Sequence, residues 1–331
     1  MNAINEFLAT ILNGINSVVC NYGWSIVVFT ILIKLVLFPL DFKSRKSMRR
    51  MSALQPQVAR LQQKYANDKE KLNAKTAELY KKEKINPLSG CLPMLISLPV
   101  LFAMFAAMRM VANNALAQQA IDLITTGAQT NEGWLWVKNL WMPDSPFSAV
   151  IADQQSLTMI PADIWQKVFA ALTPDKVAAL AGLGDGLAIT AENISGATIF
   201  AALQQSAAYT AEMQLWQTMP SINLIFFNLK IYANINGWFV LPILAAVTQF
   251  FTTMTQPQAT PDNGQNAGTG KFMKWFFPIF SLYICSSYNA SFSLYWVMSN
   301  IIAAVQGFAM NKYFDMKDQK EKESIGEGSV K

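Results

Sequence analysis

Residues 24–40 read WSIVVFTILIKLVLFPL, and within them Lys34 is the single charge. A bilayer core about 30 Å thick takes about 20 apolar residues in one helix. Four more stretches have the same character: 92–110 (LPMLISLPVLFAMFAAMRM), 238–254 (WFVLPILAAVTQFFTTM), 275–288 and 292–310. The fourth is short, which suits a tilted helix or a locally thinned bilayer. Pro39, Pro93, Pro99, Pro242 and Pro278 fall in or beside these runs, as membrane helices tolerate when neighbours satisfy the freed carbonyls. The reading is an all-α polytopic membrane protein with five transmembrane helices.

The rest of the composition agrees. Of 331 residues, 52% are hydrophobic and 14% are charged, against about 25% charged in ordinary soluble domains. There is no histidine, which removes a Ser-His-Asp triad, an H-E-x-x-H zinc site and a histidine proton relay. Cys20, Cys91 and Cys285 lie far apart without a C-x-x-C pair. They are expected to be buried structural thiols, not a disulfide framework or a metal site. No metal or other cofactor is expected, and no cleavable signal is read at the N-terminus.

Charge gives the orientation. Residues 41–84 hold 13 Lys/Arg and five Asp/Glu, whereas 111–237 hold four and nine. The positive-inside rule places the first loop in the cytoplasm, the N-terminus outside and the C-terminus inside, in a bacterial plasma membrane. The expected order is an amphipathic outer-surface helix (1–21), the first span (22–41), a cytoplasmic helical hairpin (42–84) and the second span (85–111). An extracytoplasmic loop (112–236) follows, with a helical insertion at about 145–216. The third span (237–254), a cytoplasmic loop (255–271), the fourth span (272–289), the fifth (291–311) and a tail (312–331) complete the chain.

Periodicity supports the parts outside the spans. Phe7, Leu8, Ile11, Leu12, Ile15, Val18 and Val19 share a helical face, which suits either a membrane surface or a packed neighbour. Met48, Met51, Leu54, Val58, Leu61 and Tyr65, then Leu72, Thr76 and Leu79, mark two amphipathic helices joined at Asn67-Asp68. Pro56 is expected to kink the first of them. The basic residues Arg45, Lys46, Arg49, Arg50 and Lys64 make this hairpin either a solvated topology anchor or a docking arm for lipid headgroups or a cytoplasmic partner. In the outer loop, Trp134, Trp136 and Trp141 suit the interface belt. Thr173-Pro174-Asp175 reads as a helix start, and 182–186 as a breaker. The charge-balanced stretch from Asp315 onward reads as a disordered end.

Lys34 is the ionisable residue well inside a span. A charge at mid-bilayer costs about 2.5–3.5 kcal/mol or more and usually faces a water-filled cavity. Snorkelling to the cytosol is the alternative, since Asp41 lies roughly 10 Å along the helix. Thr30, Ser97, Thr248, Gln249, Thr252, Ser299, Asn300 and Gln306 are polar candidates for the same cavity, or for interhelical hydrogen bonds.

These residues fall into an order that resembles the YidC/Oxa1/Alb3 membrane protein insertases. IKLVLFPL (33–40) is similar to the family's first-span pattern, and LQPQVARLQQKY (54–65) to its hairpin pattern. INPLSGCLPMLISLPV (85–100) resembles the start of its second span, WLWVKNLWMPD its outer aromatic segment, and SLYWVMSNIIAAVQ (293–306) its last span. The resemblance implies five helices around a hydrophilic groove open to cytoplasm and lipid. It implies that a basic residue, here Lys34, attracts the hydrophilic part of a nascent protein, and that Thr30, Ser97, Thr248, Gln249, Thr252, Trp296 and Asn300 line the client's path. The implied partners are nascent membrane proteins and the lipid bilayer, with the ribosome, the signal recognition particle machinery and the Sec translocon as further candidates. No nucleic-acid sequence is read, and no nucleotide site or catalysis is implied. The sequence departs from the family in four places. Lys34 stands for the usual Arg, Ser97 for a common Gln, and Asn289-Ala290-Ser291 for Pro-x-Gly. The stretch 145–216 has no counterpart in short-looped members, and the large periplasmic domain of Gram-negative members is not expected. A small-solute transporter or channel is the competing reading, disfavoured by the absence of mid-span acids and of an inverted repeat.

Overall fold

The computed structural model describes residues 2–83, 88–184, 186–217, 221–223, 228–231, 233–255 and 267–328, with side chains at all of these except 2–3, 88–98, 215–217, 221–223, 228–230, 267–271, 273 and 321–328. Among the described residues there are thirteen helices: α1 (Asn2–Val19), α2 (Tyr22–Ala53), α3 (Gln55–Lys64), α4 (Lys69–Lys82), α5 (Leu88–Thr126), α6 (Gln154–Thr158), α7 (Ala162–Ala170), α8 (Pro174–Ala181), α9 (Gly196–Gln205), α10 (Ala207–Gln217), α11 (Val240–Thr255), α12 (Ala267–Ser287) and α13 (Ala290–Gly328). A short antiparallel ribbon pairs β1 (Ser221–Asn223) with β2 (Asn228–Lys230), Ile222 opposite Leu229. α2, residues 99–126 of α5 and residues 290–320 of α13 are long and apolar enough to cross a membrane, and α11 is a shorter apolar helix. α12 covers the stretch read as short and has 21 residues. The chain is thus an all-α polytopic membrane protein.

The residues group into two compact units. One comprises Met1–Phe29, Ala103–Leu244 and Leu282–Trp296; the other comprises Thr30–Phe102, Ala245–Ser281 and Val297–Lys331.

In the first unit, Leu8, Ala9 and Leu12 of α1 are buried while Ile4, Phe7 and Val18 stay exposed. This amphipathic helix therefore packs one side on its neighbours. Thr173 precedes α8 in extended conformation with Pro174 in its first turn, and Gly182 ends it. Lys176 of α8 bonds Asp122 of α5 at 2.5 Å, and Thr130 donates to the same carboxylate. Leu157, Trp165, Leu180, Ile189 and Ile199 are buried in the helical insertion.

In the second unit α2 continues as helix past the apolar run to Ala53. Pro56 does not kink a continuous helix. The chain breaks at Leu54, and Pro56 lies in the first turn of α3, where its missing N–H costs nothing. Asp68 caps α4, accepting from Lys71 N at 3.0 Å. The stretch from Asp315, expected to be disordered, is helical to Gly328. Phe314 is buried against Phe42 (5.2 Å between rings), and Asp315 and Asp318 accept from Arg49. Those contacts outweigh the entropy that composition alone suggested would melt it.

Candidate functional site

Thr30, Lys34, Asp41 and Arg45 succeed one another along α2 at spacings of 4, 7 and 4, which puts them on one face of the helix. Thr30 is fully buried and Lys34 half-buried. Val36, about 200° round the helix from Lys34, is 77% exposed.

The Arg45 contacts show what that face meets. Its Nη1 donates to the carbonyl of Thr255 at the end of α11 (3.0 Å). A side chain at Gly307 of α13 would strike its guanidinium at 2.7–3.0 Å, so glycine makes room for the arginine. Asn311 of α13 also donates to Thr255 O, at 3.2 Å. A cation and an amide thus serve the carbonyl end of α11, where the helix dipole is negative. One turn further on, Arg49 bonds Asp315 (2.5 Å) and Asp318 (2.8 Å) and lies 5.8 Å from the Phe314 ring. The hydrogen bond to Asp315 is the first cause that raises its pKa above the usual arginine value.

Lys34 is placed differently. Among the described residues, no hydrogen bond or ion pair holds its ammonium, and Asp41 and Arg45 are the charges that act on it. It lies on the face that packs toward α11 and α13, so the helix face does not favour the lipid side. Thr248, Thr252 and Asn300 come together in the same unit. Thr252 Oγ1 donates to Asn300 O at 3.0 Å, and Asn300 Nδ2 reaches Thr248 Oγ1 at 3.5 Å. These bonds tie α11 to α13, as polar residues between membrane helices commonly do. Gln249 is half-buried beside them in sequence. Trp296 belongs to the other unit, where its ring packs on Phe292 at 5.6 Å. The Ser97 side chain lies outside the described residues, as does that of Cys91.

Of the basic residues read as a docking set, Arg45 and Arg49 turn inward to α11 and α13, whereas Lys46, Arg50 and Lys64 are exposed. Lys64 lies over the Tyr65 ring at 5.6 Å. Cys285 is buried, but Cys20 is exposed.

The aromatic segment in the first unit also departs from expectation. Trp141 and Trp134 are 2% and 9% exposed, so they pack inside the protein rather than face a headgroup layer. Around them is a buried polar knot that the sequence reading missed. Asn139 N donates to Asn236 Oδ1 (2.7 Å), and Asn236 Nδ2 donates back to the carbonyls of Asn139, Met142 and Pro143 at 2.8–3.1 Å. Asp144, fully buried, accepts from Trp136 Nε1 (3.1 Å), Phe239 N (3.2 Å) and Leu241 N (2.7 Å). It caps the start of α11 from nearly a hundred residues upstream, and any side chain at Gly237 would collide with its carboxylate. Glu132 accepts from Tyr22 N at 3.1 Å, and burial raises its carboxyl above the usual range.

Helices that cross a bilayer, a half-buried lysine within one of them and a capped outer segment define a multi-pass membrane protein with no recognisable catalytic constellation among the described residues. The profile of the 60Kd inner membrane protein family matches residues 14–182 and 195–319. The chain is 32% identical over 301 residues to the membrane protein insertase YidC of Chlorobaculum tepidum, covering 91% of this chain and 34% of that protein. It is 53% identical over 108 residues to the membrane protein insertase YidC of Fusobacterium nucleatum, 33% of this chain and 53% of that one. It is 38% identical over 162 residues to the protein of the same name from Anaeromyxobacter dehalogenans, 47% and 27%. The chain belongs to the 60Kd inner membrane protein family. The aligned regions span about half the length of the Fusobacterium relative, about a third of the Chlorobaculum one and about a quarter of the Anaeromyxobacter one.

Proposed function

We propose that the chain is a membrane protein insertase and chaperone without covalent chemistry. Nascent hydrophobic segments pass along a polar intramembrane groove and leave it for the lipid bilayer. Lys34 carries this reading: it is a half-buried cation within a span, with no hydrogen-bond or ion-pair partner among the described residues. A fixed structural partner would cancel such a charge. An unpartnered one is available to the hydrophilic end or loop of a client. Thr30, Ser97, Thr248, Gln249, Thr252, Trp296 and Asn300 are the proposed client contacts. Transfer of apolar surface to lipid supplies the driving force, about 25 cal/mol per Å².

The charge distribution supports an N-terminus outside and a C-terminus in the cytoplasm of a bacterial plasma membrane. Lys46, Arg50 and Lys64 are then free to meet anionic headgroups or a cytoplasmic partner such as the ribosome, the signal recognition particle machinery or the Sec translocon. The names of the relatives agree with this reading. The test is depletion of the protein, followed by protease-accessibility assays on one- and two-span membrane proteins. Failure of these clients to become protected is expected. Normal insertion, with altered flux of a small solute, contradicts the proposal and favours a transporter.

A further inference from the structure

Residues 134–137 close on themselves: Trp134 N donates to Val137 O and Val137 N to Trp134 O, both at 2.9 Å. This two-residue turn needs a left-handed backbone, which Gly or Asn normally provides. Here the position is Leu135, at φ +50°. A leucine in that conformation is disfavoured, and it is 65% exposed, so packing within the protein does not explain it. The flanks are firmly held. The Trp134 ring sits where any side chain at Gly23 would collide with it, and it meets Trp24 edge-on at 5.6 Å. Trp136 donates to the buried Asp144. Both ends of the turn are anchored while its apolar tip projects outward.

We propose that Leu135 is a lipid contact, a wedge that the turn holds in the surface of the bilayer at the N-terminal end of α2. The neighbouring Trp24 is 50% exposed and begins an exposed apolar stripe on α2, continued within the same unit by Val28. That stripe is the side of a spanning helix that lipid covers, so the Leu135 tip is continuous with a membrane-facing surface through the Trp24–Trp134 pair. An exposed indole such as that of Trp24 favours the same interfacial depth. The strained leucine is thereby explained: glycine would suit the backbone but leave nothing to bury in lipid.

The experiment uses the full chain, with Cys20, Cys91 and Cys285 changed to serine, reconstituted into vesicles of phosphatidylcholine and phosphatidylglycerol. Spin labels are placed singly at Leu135→Cys, Val28→Cys as the lipid reference and Gln155→Cys as the water reference. Collision rates with oxygen and with a water-soluble nickel chelate are then compared. The oxygen-to-nickel ratio at 135 is expected to lie several-fold above that at 155 and near that at 28. A ratio like that at 155, or shielding from both reagents as at a protein contact, overturns the proposal. Leu135→Gly, measured in detergent, is expected to raise the Tm by about 2 °C by relieving the backbone. A lower Tm would mean that the leucine packs within the protein, and would also overturn it.

Discussion

Asp144 and Lys34 are both ionisable side chains withdrawn from water, and the protein treats them in opposite ways. Asp144 is fully buried and receives three hydrogen bonds, two of them from the backbone at the start of α11. Lys34 is half-buried, and its ammonium donates none to the described residues. A buried charge whose bonding capacity is filled by its own chain serves the fold. One left unfilled costs stability and persists only where something outside the fold uses it. The contrast separates structure from function more sharply than residue type does.

The largest effect is expected on the filled site. Asp144→Ala leaves three donors without an acceptor, one buried and two partly buried, each worth up to about 1–3 kcal/mol. Loss of about 3 kcal/mol or more is expected, read as a large drop in Tm and in recoverable folded protein. If Asp144→Ala is as stable as the parent, the outer knot is not a structural lock. Lys34→Ala is expected to behave in reverse on the same scale. Removing an unpaired cation from a span costs the fold nothing and relieves up to about 2.5–3.5 kcal/mol, so its Tm stays level or rises. A marked fall would show that Lys34 has a structural partner, and the contrast would collapse. The smallest effect belongs to Arg49→Ala. Its ion pairs with Asp315 and Asp318 are partly exposed, so at most about 1 kcal/mol is expected. The difference should shrink between low and high salt, as solvent-screened pairs do. A salt-independent loss would assign the effect to packing on Phe314 instead.

The fold was legible wherever one physical requirement dominated. The need to satisfy every backbone group in lipid makes an apolar run such as 24–40 a helix, and Asn67-Asp68 marks a turn because Asp68 is an effective cap. Lys34 was legible because a lone charge in such a run has few explanations. What escaped depends on partners distant in sequence. Arg45 and Arg49 looked like a free docking surface, and only their contacts with Thr255, Gly307, Asp315 and Asp318 show how they are used. The same contacts make an ordered helix of a stretch whose composition suggests disorder. Trp134 and Trp141 have the composition of an interface belt yet are buried, and Leu135 between them, the least conspicuous residue of the segment, is an exposed apolar one. Asn139, Asn236 and Asp144 gave no periodic signal, because their hydrogen bonds close across a long insertion.

The central claim is that the charge on Lys34, not its shape or its contribution to folding, receives the client. It is tested most directly by replacing the chromosomal copy with Lys34→Ala or Lys34→Arg and following protease protection of a one-span client. The account predicts at least about a tenfold slower insertion for Lys34→Ala, which corresponds to the loss of about 1.4 kcal/mol of client interaction. Lys34→Arg should insert at the parental rate, with both variants present at normal abundance. Full activity of Lys34→Ala would remove Lys34 from the mechanism.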